Sequence, residues 1–160
     1  MTNSFAKAFA IGLGAVMVVV GIVFLMQRGA HIDLPGYMRV TTIATSEHES
    51  LALVDLHLTN PSDYAFQVRN VTVTLETTHG DATETIASRV DALRLFDSMP
   101  HAGPFHPTLY TNFQIAPHVT ADYTLAASFS MPEYMLKDRQ RFVVKIDEVN
   151  GTVVELRERK

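Results

Sequence analysis

Leu51-Ala52-Leu53-Val54-Asp55-Leu56-His57-Leu58-Thr59 runs straight into Asn60-Pro61-Ser62-Asp63. Ala52, Val54, Leu56 and Leu58 fall on one face of an extended chain, and Asp55, His57 and Thr59 on the other. Successive side chains of a strand point to opposite faces, so this period of two describes a half-buried β-strand. The Asn-Pro-Ser-Asp run then stops it with turn chemistry.

The same alternation recurs on both sides. Residues 37–45 are rich in β-formers. In residues 66–78, Phe66 and Val68 share one face and Val71, Val73 and Leu75 share another, one residue out of step at Arg69-Asn70. One extra residue at that place predicts a β-bulge. Residues 79–81 form a turn, and residues 83–90 are expected to return as the partner strand. Residues 91–96 suggest a short helical turn. Residues 98–107, with Pro100, Pro104 and Pro107, are expected to be irregular.

Further strands are expected at 109–115, 121–130, 141–149 and 152–157, with a turn at 116–118 and a connection at 132–139. Tyr123, Leu125, Ala127 and Phe129 share a face. Asn150-Gly151 is the preferred pair for a type I′ hairpin. About eight short strands with regular turn signals predict an all-β fold, an immunoglobulin-like antiparallel β-sandwich over residues 37–160.

Residues 8–26 read AFAIGLGAVMVVVGIVFLM, 19 residues without a charge. At about 1.5 Å per residue such a helix spans roughly 28 Å, close to the hydrocarbon thickness of a bilayer. Residues 8–27 are therefore expected to form an N-terminal transmembrane helix. A head of residues 1–7 precedes it and a linker of residues 28–36 follows. A cleaved signal peptide remains the alternative, with Gly29-Ala30 as its small-residue site. The flanking charges Lys7, Arg28 and Arg39 do not fix the orientation. The short head favours a domain on the far side of the membrane, which in a bacterium means a periplasmic domain on the cell inner membrane. Ala10, Gly14 and Gly21 form a small-residue stripe suited to packing against another helix.

Net charge is −4, unevenly spread. Residues 27–136 carry 5 Lys or Arg against 12 Asp or Glu, and residues 137–160 carry 7 against 5. An acidic body repels phosphate backbones, so nucleic acid is not an expected partner. The basic end (Lys137, Arg139, Arg141, Arg157, Arg159 and Lys160) suits either a solvated strand edge or contact with anionic lipid or an acidic partner. Cysteine is absent, which excludes disulfides and thiolate chemistry.

The segment Val54 to Leu75 resembles the late-embryogenesis-abundant type 2, or WHy, domain. It has a strand ending in Asn60-Pro61, aromatics soon after at Tyr64 and Phe66, and then a strand of alternating aliphatics. Ile115-Ala116-Pro117 is similar to that family's apolar-x-proline turn, with His118 where the family has glycine. The resemblance implies a β-sandwich linked to stress protection and, in membrane-attached members, to partner binding. It implies no catalytic residues.

Seven histidines invite a test for metal. Met99, His101 and His106 form the best cluster, since thioether and imidazole suit copper; an ordinary surface loop is the competing reading. His57 and His79 read as exposed strand positions. The acidic pairs Glu47/Glu49 and Asp147/Glu148 read as solvated charge. No GxSxG, phosphate loop or calcium loop occurs. The expectation is a non-catalytic accessory or structural subunit of a membrane protein complex, with no cofactor. Copper handling and stress protection are the alternatives.

Overall fold

The computed structural model of the chain describes Phe9, residues 12–14 and 16–22, Leu34, and residues 36–159 except His79. The chain divides into two compact units, Met1–His31 and Ile32–Lys160. In the first unit the described residues are helical, and their large apolar side chains are 51–68% exposed. A Cβ added at Gly14 or Gly21 would meet nothing within 4 Å. Among the described residues no helix is long and apolar enough to cross a membrane. The rest of the helix expected over 8–27, Ala10 included, lies outside the described residues.

The second unit is an antiparallel β-sandwich. Its strands are β1 (Gly36–Ala44), β2 (Ser50–Thr59), β3 (Phe66–Thr77), β4 (Gly80–Thr85), β5 (Gln114–Ile115), β6 (Thr120–Phe129), β7 (Arg141–Glu148) and β8 (Val153–Arg157). One sheet has the order β1-β2-β6; the other has the order β4-β3-β7-β8, with β5 also pairing with β3. The bulge falls where the alternation slips, between Val68 and Asn70 in the β3–β7 register.

The inward faces build the core. Val54, Leu56 and Leu58 of β2 meet Phe66, Val73 and Leu75 of β3 and Val144 and Ile146 of β7 in one cluster. Phe66, Phe129 and Phe142 are fully buried. Each such side chain stabilises the fold by roughly 1.5–3 kcal/mol relative to exposure.

Three local expectations need correction, and a fourth, the connection over 132–139, holds with added detail. The strand expected over 83–90 stops at Thr85, and Arg89–Ser98 is a helix, α1. The Ser88 hydroxyl caps it, accepting from the Asp91 amide at 3.2 Å and donating to the Asp91 carboxylate at 2.7 Å. The Asp91 carboxylate bonds the Ser88 hydroxyl and not the Ser88 backbone amide, so this is a side-chain N-cap rather than a reciprocal capping box. Residues 109–115 contribute two strand residues, Gln114–Ile115, rather than seven. The connection over 132–139 contains a short helix, α2 (Glu133–Lys137).

The β7–β8 hairpin is not type I′. Gly151 has a positive φ of 95°, and Asn150 is not among the positive-φ residues. The Glu148 carbonyl accepts from the Gly151 amide, and the Glu148 amide donates to the Thr152 carbonyl. That is a type I turn closed by a glycine bulge. The Asn150 carboxamide accepts from the Thr152 amide at 3.0 Å, which holds the turn in this form.

Candidate functional site

The outer face of the β1-β2-β6 sheet is divided in two. Register places its residues in rows: Thr41, Leu53 and Ala126; then Arg39, Asp55 and Thr124; then Tyr37, His57 and Asp122. At one end Leu51, Leu53 and Ala126 are buried beneath Ala92 and Phe96 of α1, with Ile43, Met99 and Phe105 packed around them. This second small core explains why Ser50–Val54 and Tyr123–Ala127 are buried on both faces. At the other end, where β1 begins, the face is polar and open.

That open half lines a cavity of about 420 Å³. Its floor is Tyr37, Arg39, Thr41, Asp55, His57 and Asp122, and its wall is the segment Ala102–Pro104 with His106. The two polar rows are internally bonded. His57 Nδ1 meets the Asp122 carboxylate at 2.6 Å, and the Tyr37 ring stacks on the His57 ring with centroids 4.8 Å apart. The Thr124 hydroxyl donates to Asp55 at 2.8 Å and accepts from the His106 amide at 3.0 Å. Thr124 is 1% exposed, and its hydroxyl, together with its amide donating to the Pro107 carbonyl at 3.2 Å, fixes the wall to the floor.

These contacts set what the pocket presents. With its Nδ1 proton directed at Asp122, the neutral His57 ring offers Nε2 as an acceptor, and the protonated ring offers it as a donor. Arg39 lies across from Asp55 in the register, yet among the described residues it has no ion pair within 4.0 Å. The pocket therefore combines an exposed guanidinium, an oriented imidazole, two carboxylates already engaged by neighbours, and an aromatic ring. Such a set suits recognition of a polar surface or segment carrying both donors and acceptors.

The residues proposed from sequence go to different places. Met99 packs against the apolar cluster under α1, His101 is exposed on a 3-10 turn (Pro100–Ala102), and His106 lines the cavity. Among the described residues no group of three His, Asp or Glu side chains is placed to hold a metal. In the basic set, Lys137 pairs with Glu133 at 2.9 Å, Arg141 with Glu76 at 2.6 Å, and Arg157 with Glu155 at 3.3 Å. Arg139 grips Glu158 through two guanidinium nitrogens, donates to the Leu136 carbonyl, and lies over the Phe142 ring. Arg159 is exposed, and Lys160 lies outside the described residues.

His57 is not a free surface position, since both neighbours in its row hold it. Glu148 is 4% exposed rather than solvated, because β7 turns it to the same side as Phe142, Val144 and Ile146. His79 lies outside the described residues. Among the described groups, burial pushes the Tyr123 hydroxyl above its usual range.

The pocket residues left one mark in the sequence. Leu51 and Leu53 precede Asp55 and His57 on the same strand face, so the face changes from apolar to polar partway along. That change marks where the helical cover ends.

No family model matches the chain. No curated protein matches it either. An X-ray structure of a Northeast Structural Genomics Consortium target aligns with 78% of this chain and 82% of its own, at 9% identity and a TM-score of 0.35. A crystal structure of a protein described as ApaA from Bordetella pertussis aligns with 79% of this chain and 90% of its own, at 12% identity and a TM-score of 0.34. At these TM-scores neither likeness bears on fold or function.

Proposed function

We propose that the chain is a single-pass, membrane-anchored accessory subunit whose immunoglobulin-like sandwich binds its partner through the open half of the β1-β2-β6 sheet. The observation that carries this is the cavity beside α1, where Arg39 and the His57–Asp122 pair stand uncovered. The anchor is supported by the N-terminal helical residues. They are apolar on every side and more than half exposed, a surface that water does not tolerate and hydrocarbon does. The open half of the sheet is the half nearest Gly36, where the sandwich begins. The nine residues 28–36 reach at most about 30 Å, so a partner in the same membrane is within range. On this reading the domain acts outside the cytoplasm and does no chemistry of its own.

Size-exclusion chromatography of gently solubilised membranes tests it. The chain should elute within a larger assembly. Elution only as free monomer contradicts the proposal.

One observation favours a stress-protective reading beside it. His118 has a positive φ of 55°, the backbone conformation that glycine most readily adopts. It stands where the type 2 late-embryogenesis family has glycine. That reading requires the chain to preserve unrelated enzymes through drying, and failure to do so removes it. Copper handling has less support, because Met99 is committed to apolar packing.

A further inference from the structure

We propose that the end of the sandwich at which β1 begins rests on the lipid headgroups of the membrane holding the anchor. This inference depends on the anchor proposed above. Three connections meet at that end: residues 60–65, 116–119 and 149–152. Tyr64 is 79% exposed, and Tyr37, Val119, Val149 and Val153 are exposed there too. The other large exposed apolar side chains described in the sandwich lie elsewhere, on α1 and α2.

These side chains are held in place by the backbone. The Asn60 amide donates to the Val119 carbonyl at 2.9 Å, and the Asn60 carboxamide donates to the Tyr64 carbonyl at 2.9 Å. The Val149 amide donates to the Gln67 carbonyl at 3.0 Å. The exposed carboxylates nearby are matched locally, Asp63 with His118 at 2.9 Å and Asp122 with His57, while Glu148 at the same end is buried away from the surface. The end therefore offers apolar and phenolic groups without unmatched acid at those two positions.

A bilayer interface suits that chemistry. Tyrosine buries its ring among acyl carbonyls and keeps its hydroxyl in the wet headgroup layer. Valine gains from any apolar area removed from water. The tether makes the surface available, because the apolar stretch ends at Met26 and β1 starts at Gly36. Resting on this end would orient the cavity floor, which begins at Tyr37, alongside the membrane rather than away from it.

The chain contains no tryptophan, so one introduced indole reports from one place. Three full-length variants are reconstituted without other proteins: Val18→Trp in the apolar stretch, Tyr64→Trp at the proposed contact, and Tyr134→Trp on α2 at the opposite end. Each goes into plain phosphatidylcholine vesicles and into vesicles whose acyl chains are brominated both near the headgroup end and near the bilayer centre, where Val18 of the 8–26 stretch would lie. Bromine should quench Val18→Trp and Tyr64→Trp and leave Tyr134→Trp unchanged. Quenching of Val18→Trp without Tyr64→Trp overturns the headgroup contact and leaves the anchor standing. Loss of quenching at Val18→Trp overturns the anchor and this inference together. Equal quenching of Tyr64→Trp and Tyr134→Trp shows that this end has no preference for lipid, which also overturns it.

Discussion

The Asn60 carboxamide donates to the Ile115 carbonyl at 3.0 Å, joining the connection after β2 to the end of β5, 55 residues away in sequence. The same nitrogen lies 2.9 Å from the Tyr64 carbonyl and 3.2 Å from the Ala116 carbonyl, and the carboxamide oxygen accepts from the Ser62 amide and hydroxyl. Asn60 is wholly buried. The Asn-Pro signature that ends β2 is thus a structural clamp, with Pro61 stopping the strand and Asn60 supplying the polar groups that both segments need. Asn60→Ala removes the donor to the buried Ile115 carbonyl, while the Tyr64 and Ala116 carbonyls keep the Ser62 hydroxyl and the Val119 amide, so the change should cost about 1–3 kcal/mol in urea unfolding. Asn60→Asp should cost at least as much, since a carboxylate cannot donate to carbonyls. An unchanged midpoint for either variant contradicts the clamp.

Arg139 and Glu158 make a second long-range tie, with side chains only 15% and 11% exposed. Glu158 also accepts from the Phe142 amide at 3.1 Å. Arg139→Ala takes a two-nitrogen partner from a mostly buried carboxylate, so it should destabilise by about 3 kcal/mol. Arg141 pairs across the strands with Glu76 but is 43% exposed. Arg141→Ala should therefore cost less than about 1 kcal/mol, and added salt should shrink the difference.

Gly36 has no room for a side chain. A Cβ there would lie 2.2 Å from the His57 carbonyl oxygen. Gly36→Ala must push the start of β1 away from β2, and Tyr37 with it, loosening the stack on His57. A loss of about 1–3 kcal/mol is expected from such overpacking. Chemical-shift changes should centre on Tyr37 and His57.

Tyr123 links stability to alkaline pH. Burial raises its folded-state pKa above the unfolded value of 10.0. The stability this contributes is complete below pH 10 and is lost as pH rises from the unfolded value through the folded one. The melting temperature should fall more steeply above pH 10 in the natural chain than in Tyr123→Phe. Parallel pH profiles contradict this assignment.

Much of the sandwich was legible because its sheets bury one face and leave alternation in the sequence. Val54, Leu56 and Leu58 declared their side, and Val68 followed by Val71 announced the bulge. The segment between β4 and β6 was not legible for two reasons. Thr83 to Val90 continues a strand-like run across Ser88, where the cap for α1 begins. Residues 107–113 remain mostly outside the ladders, although Leu109 is fully buried. The pocket was harder to foresee. His57 and Asp122 lie 65 residues apart, and only the β2–β6 register brings them together. Alternation tells which face a residue occupies and not which strand lies beside it.

The most direct measurement is affinity capture of the full-length chain from its native membranes in mild detergent, with the natural sequence beside Arg39→Ala and His57→Ala. Both substitutions lie on the pocket floor and leave the two cores intact. One membrane complex should come down at fixed stoichiometry with the natural chain and be lost or sharply reduced with the variants. If the natural chain brings down no membrane protein specifically, or if the variants retain the same complex in full, the open half of the β1-β2-β6 sheet is not the partner surface of an accessory subunit.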